Sequence, residues 1–117
     1  MLRATKGFTT MPLPGEIWLA DIPFADGSAS KIRPVLVLWL DAGDAVVAAV
    51  TSAAPRSPSD VSLQDWQTEG LRVASTVRLS RLDCLEQNLL RRKLGVLSRN
   101  DAQRIKQVWT NQIQLRF

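Results

Sequence analysis

From Gly15 to Leu97 the apolar residues come in short blocks set apart by Gly, Pro, Asp and Ser, and after Leu97 their spacing changes. The block 15–22 predicts a strand, and Pro23 to Ser30, with Asp26-Gly27-Ser28 inside it, a connecting loop. Segment 32–40 predicts a second strand, in which the unbroken run Val35 to Leu38 implies burial on both faces. Asp41 to Asp44, with Gly43 between, carries a tight hairpin signal, and 45–52 predicts the third strand. Pro55, Ser57 and Pro58 make 53–60 a loop that carries Arg56 above the end of that strand. Val61 to Leu63 is a short strand candidate, and Gln64 to Gly70 a turn around Trp66. In Val73 to Leu82, Val77 and Leu79 alternate with Thr76, Arg78 and Ser80, which predicts a strand with Arg78 and Ser80 on one face.

Helical spacing begins at Ser98-Arg99-Asn100-Asp101, a capping-box pattern whose acidic residue also suits a helix N-terminus. Ala102, Ile105, Val108 or Trp109, Gln112 and Ile113 then form one apolar stripe, with Arg104 and Lys106 off it. The expected architecture is mainly β with a C-terminal α-helix: a small barrel with the helix laid against it.

A chain of 117 residues, 45% of them hydrophobic, can bury one compact core, so one folded domain is expected over 14–117, preceded by a loosely held leader at 1–13 in which Met11 is an alternative start. No repeat or low-complexity tract interrupts it. A single cysteine, Cys84, excludes an internal disulfide and a cysteine zinc site, and the absence of histidine removes the commonest metal ligand. Reducing cytoplasm is the expected compartment. The apolar runs fall far short of the roughly 20 residues that span a bilayer, and Met1 to Pro14 holds no continuous apolar stretch of signal-peptide type, so no membrane association is expected.

Charge is unevenly distributed beneath the net value of +4. Residues 1–70 hold five basic groups against eight acidic ones, whereas residues 71–117 hold ten basic groups against Asp83, Glu86 and Asp101. The later part is a candidate polyanion surface, and its excess of arginine over lysine suits bidentate phosphate contacts. Solubilising charge on strand and helix faces is the plain alternative.

Among the basic residues Arg33 stands out. It sits at the opening of the second strand, and Pro34 holds it in the extended region, so the guanidinium is anchored on a rigid core element. Pro14-Gly15-Glu16-Ile17-Trp18 at the first strand, Lys31-Ile32-Arg33-Pro34 opening the second, Val50-Thr51-Ser52 ending the third, Ser75-Thr76-Val77-Arg78 later and Leu94-Gly95-Val96-Leu97-Ser98 before the helix form an ordered set. In that order and spacing, from Pro14 to about Leu115, the chain resembles the MazF/PemK toxins, small endoribonucleases of bacterial toxin–antitoxin systems.

The resemblance implies an SH3-like small barrel of the MazF/PemK/CcdB type, a homodimer with an RNA groove across the subunit boundary, and a cognate antitoxin. It implies cleavage of single-stranded RNA at particular sequences, with Arg33 and Thr51 matching the arginine and threonine on which the family's chemistry depends and Arg78 a second arginine used as acid or phosphate clamp. Lys31, Ser52, Arg56 and Ser80 are the accompanying RNA-binding candidates. Without histidine or a carboxylate cluster, cleavage must be metal-independent and cofactor-free, by attack of the ribose 2′-hydroxyl on phosphorus. Two departures bear on this. Ser80 stands where some members carry an acidic residue, which leaves the general base open, and Ala25 to Ser30 lacks the glutamate–glutamine pair common in that loop. A gyrase-binding toxin of the CcdB kind, or a non-catalytic nucleic-acid-binding module, is the rival expectation.

Each residue also has a structural reading. Thr51 could hydrogen-bond a turn, Arg56 could be a loop charge, and Arg78 could pair with Asp83 or Glu86. Trp18, Trp39 and Trp109 lie in apolar patterns and read as core, while Trp66 sits in a turn; any of the four could stack bases. Cys84, between Leu82 and Leu85, reads as a small buried hydrophobe.

Overall fold

The structure, a computed structural model, describes residues 11–117; most of the expected leader lies outside the described residues. Six strands form one antiparallel sheet: β1 (Glu16–Pro23), β2 (Ser30–Asp41), β3 (Asp44–Thr51), β4 (Asp60–Ser62), β5 (Thr76–Glu86) and β6 (Leu90–Val96). Their spatial order is β4-β5-β3-β2-β1-β6, and helix α1 (Arg99–Gln112) follows β6. The mainly β architecture with a C-terminal helix is as expected, but pairing does not close β4 onto β6, so the sheet is open rather than a sealed barrel.

Two apolar clusters explain why β1, β2 and β3 read as they do. Ile17, Leu36, Ala48, Val50, Val77 and Leu79 face the helix side with Ile105, whereas Trp18, Ala20, Val35, Val37, Ala45 and Val47 pack with Leu85 and Leu90 on the other face. Successive residues of a strand therefore enter different cores, which is the physical basis of the unbroken run at Val35 to Leu38. Removal of these side chains from water on both faces is the main stabilising contribution.

Strand boundaries differ from expectation in β5 and β6. β5 starts at Thr76 and continues to Glu86, and β6 had no strand signal of its own, because Leu90-Arg91-Arg92-Lys93 has no clear alternation. β6 is set by its partner: it pairs with β1 from Glu16↔Val96 to Ala20↔Leu90. The buried carboxylate of Glu16 ties the two strands, accepting from Trp18 Nε1 at 3.0 Å and pairing with Lys93 Nζ at 2.9 Å. Burial works to raise its pKa, but these hydrogen bonds hold it below the ordinary carboxylate value.

Trp39 is corrected from core to half-exposed, at 43%. A bulge between Val37 and Trp39 turns Leu38 and Trp39 toward the helix side together, so Trp39 meets Trp109 edge-to-face at 5.9 Å at the rim of the helix contact. Cys84 is corrected likewise: it is exposed, because the prolonged β5 carries it beyond the helix-covered region while Leu85 takes the buried place.

Candidate active site

Register brings the singled-out residues to one face. β2 and β3 pair with Val35 opposite Ala49, so continuing two residues along that face sets Arg33 opposite Thr51. Across β3 the partners are Ala49↔Arg78 and Thr51↔Thr76, and across β5 they are Arg78↔Asp60 and Thr76↔Ser62. Directly opposed residues project to the same side. Arg33, Thr51 and Arg78 thus share a face although 45 positions separate the first from the last.

That face bears two adjoining grooves. One, about 550 Å³, is lined by Lys31, Arg33, Thr51, Arg56, Arg78 and Arg81, with Phe24 and a single carboxylate, Asp83. The other, about 490 Å³, is more apolar, with Leu19, Pro34, Leu71, Val73 and Leu94 on its walls and Ser52, Arg72 and Arg92 at its polar points. Arg33, Val50 and Thr51 line both, so the grooves meet at the arginine–threonine pair. Five cations around one carboxylate make the first groove strongly attractive to a polyanion.

Local hydrogen bonds hold these groups in place. Thr51 Oγ1 accepts from the Ala53 amide at 3.2 Å, which meets the expected structural role and leaves the hydroxyl proton free to donate. The Arg56 amide donates to Asp60 Oδ2 at 3.0 Å, and the guanidinium of Arg78 approaches the same oxygen at 4.0 Å. Arg78 therefore pairs with Asp60 and not with Asp83 or Glu86. Ser80 lines neither groove. Between Ala48↔Leu82 and Ala49↔Arg78 three residues of β5 bulge out, which ends the alternation that would have set Ser80 beside Arg78 and turns Arg81 into the basic groove.

The sequence matches the description "PemK-like, MazF-like toxin of type II toxin-antitoxin system" over residues 13–112. The chain belongs to this family. No curated protein matches the sequence closely enough to count as a relative. Among solved structures, an endoribonuclease in complex with its cognate antitoxin from a mycobacterial species superposes with a TM-score of 0.72 at 18% identity, covering 91% of this chain and 98% of that one. The Mycobacterium tuberculosis toxin MazF-mt6 gives 0.69 at 21% identity over 87% of this chain and 99% of that one. MazF from Deinococcus radiodurans gives 0.66 at 24% identity over 88% and 96%. These likenesses establish the fold that the MazF-like chain shares with them.

In this MazF-like chain several groove residues had been counted only within the basic C-terminal part and not singled out: Arg81 was hidden by the bulge, and Arg72 and Arg92 lie in segments without a strand pattern. Asp60, which lines neither groove but pairs with Arg78, is an acidic residue at the end of a polar loop. The basic C-terminal part divides between roles: Arg72, Arg78, Arg81 and Arg92 line the grooves, while Arg91, Lys93 and Arg104 pair with Asp21, Glu16 and Asp101. Cys84 lines neither groove; the packing around its sulfur and the Asp44 and Asp41 carboxylates push its thiol above the ordinary value, against a nucleophilic role. No described helix is long and apolar enough to cross a membrane.

Proposed function

We propose that this MazF-like chain is a sequence-specific, metal-independent endoribonuclease toxin acting on single-stranded RNA, with residues 14–117 as its functional domain. The observation that carries the reading is the meeting of the basic and apolar grooves at Arg33 and Thr51. The backbone phosphates occupy the basic groove, and a splayed base enters the apolar one. At the junction the ribose 2′-hydroxyl attacks the adjacent phosphorus and gives up its proton to water, the P–O5′ bond breaks, and the leaving 5′-oxygen takes up one proton in its place, leaving a 2′,3′-cyclic phosphate and a 5′-hydroxyl with no net change in protons. Arg33 stabilises the charge that develops on the phosphorane, Thr51 orients a reacting oxygen, and Arg78 clamps the phosphate or supplies the proton. Lys31, Ser52 and Arg56 flank the path.

Histidine-free composition supports a route that needs no imidazole acid or base. Neighbours solved with a cognate antitoxin support an antitoxin for this chain too, one whose acidic segment folds into the grooves and competes with RNA. A homodimer would extend the grooves across the subunit boundary.

Incubation of the purified protein with a long unstructured RNA in excess EDTA tests the reading. Discrete cuts bearing 5′-hydroxyl ends, labelled directly by polynucleotide kinase, are expected. Inhibition by EDTA that magnesium reverses would refute the chemistry. Binding without cuts would favour a nucleic-acid module, and intact RNA with gyrase poisoning would favour the CcdB kind.

A further inference from the structure

Asp60 is a charged side chain with no solvent exposure, placed directly behind the basic groove. It begins β4, and its partner across the ladder is Arg78. One of its oxygens serves two groove arginines at once: Oδ2 accepts from the Arg56 amide at 3.0 Å and faces Arg78 Nη1 at 4.0 Å. The turn that presents it is closed by the Asp60 amide donating to Ser57 O at 3.1 Å, and Leu79 N reaches back to Ser59 O at 3.0 Å, so the carboxylate sits on fixed backbone. The Arg78 side chain is only 13% exposed, yet it reaches the groove.

The pair is incompletely matched. A guanidinium and a carboxylate of good geometry form two parallel hydrogen bonds at about 2.7–2.9 Å. Here the approach is 4.0 Å, and Asp60 Oδ1 and Arg78 Nε are both buried without a hydrogen-bond partner among the described residues. Asp60 thus orients the arginine by charge without saturating its donors. We propose that Asp60 is a positioning residue: it holds Arg78 by charge and Arg56 through its amide, aims both at an RNA phosphate, and competes weakly with that phosphate for Arg78. This rests on the RNA-groove reading above.

Competition and orientation make opposite demands. Loss of the carboxylate frees Arg78 to bind phosphate more tightly and leaves it less well directed at the reacting centre, so affinity rises while turnover falls. A residue that merely supports the fold would weaken both.

The test is a cycle of Asp60→Asn, Arg78→Ala and the double variant in the full chain, read by RNA affinity, kcat and KM on one RNA, and Tm. Asparagine keeps an acceptor for the Arg56 amide. Asp60→Asn is expected to tighten RNA binding about threefold and to lower kcat about tenfold, the loss that misorientation of one catalytic group can bring. In the Arg78→Ala background the same substitution is expected to change neither. Arg78→Ala alone is expected to lower Tm, because it strands a buried carboxylate, and the double variant to recover it.

An unchanged or weakened affinity in Asp60→Asn, or an equal change with and without Arg78, would overturn the proposal. So would a double variant no more stable than Arg78→Ala, a readout that survives even if Asp60→Asn alone folds poorly. Wild-type protein that never cuts RNA would instead refute the nuclease reading, and the affinity and Tm cycles would still decide on Asp60.

Discussion

At the grooves Lys31, Arg33, Arg56, Arg78 and Arg81 gather around one lining carboxylate, Asp83, whereas at the start of α1 three carboxylates, Asp65, Glu69 and Asp101, gather with one arginine, Arg104. The two clusters are near mirror images in charge and differ in what satisfies them. The helix-start cluster is turned inward. Asp101 accepts from the Gln64 and Asp65 amides at 3.1 and 3.0 Å and pairs with Arg104 at 2.9 Å, and Ser98 caps the helix through the Asp101 amide while its own amide donates to Glu69 Oε2 at 2.8 Å. Its polar atoms serve mainly to join the 64–70 turn to the helix, and its one buried oxygen without a partner among the described residues is Glu69 Oε1. Among the groove cations only Arg78 has an ion-pair partner among the described residues, so the remaining positive charge is available to a polyanion. The comparison separates charge that builds the fold from charge that the fold presents.

The turn is also where the clusters touch. Gly70 follows Glu69 and lines the apolar groove; its φ is +90°, and an added Cβ would overlap the Leu94 carbonyl oxygen. In return Gly95 lies against the Glu69 carbonyl. The acidic cluster thereby fixes one wall of the groove through backbone contact on β6.

The largest expected effect falls on the presented charge. Arg33→Ala should lower the RNA cleavage rate about a hundredfold or more while Tm stays near that of the wild type, as for loss of one preorganised electrostatic donor. A correctly folded Arg33→Ala protein with near-normal activity would erase the distinction between the clusters. Thr51→Val should cause a smaller loss of rate with RNA binding retained; an equal fall in binding would assign Thr51 to the turn it caps.

Asp101→Ala should act the other way round. The Gln64 and Asp65 amides and Arg104 lose their buried acceptor, which should cost about 2–3 kcal/mol in urea denaturation, with the cleavage rate per folded molecule unchanged. A selective loss of activity at full stability would move Asp101 into the functional cluster.

Titration of Glu69 sharpens the contrast further. Burial, opposed in part by the Ser98 amide and aided by the Asp101 carboxylate, pushes its pKa up from 4.5 to about 7. Asp101, which burial alone would raise, is held below its ordinary value by the Asp65 and Gln64 amides, Glu69 and Arg104. The folded state therefore keeps the Glu69 proton in a range where the unfolded chain releases it. This group's contribution is fully present below about 4.5, declines as pH rises, and is gone above about 7. Urea midpoints measured across that window should fall with rising pH, and Glu69→Gln should flatten the decline. A Glu69→Gln protein with the wild-type pH slope would place the titration elsewhere.

The smallest effect is expected at Arg91, whose pair with Asp21 at 3.1 Å lies at the surface. Arg91→Ala should leave the urea midpoint close to that of the wild type and cleavage unaltered, in keeping with exposed ion pairs. A clear fall in the midpoint would show that surface pairing on β6 helps to hold the edge of the sheet.

Much of this molecule was legible before folding was considered. The Val35 to Leu38 run, the Asp41 to Asp44 hairpin and the Ser98 cap are local patterns, and each appeared where expected because alternation, turn chemistry and capping act over a few residues. Arg33, Thr51 and Arg78 were legible as types in an ordered set of motifs. Their meeting was decided by register across β2, β3 and β5, which depends on partners tens of residues away. The same holds for what was missed. Trp39 was turned out by a bulge, Arg81 replaced Ser80 at the groove through another, β6 became a strand because β1 offered it an edge, and Asp60 became the buried partner of Arg78 only once β4 lay beside β5. Sequence by itself determined the elements other than β6, the two-sided burial of β2 and the chemistry on offer. Tertiary structure alone decided which charges are buried against one another and which are left facing the grooves, because pairing between distant strands is a property of the whole sheet and is encoded in no single segment of it.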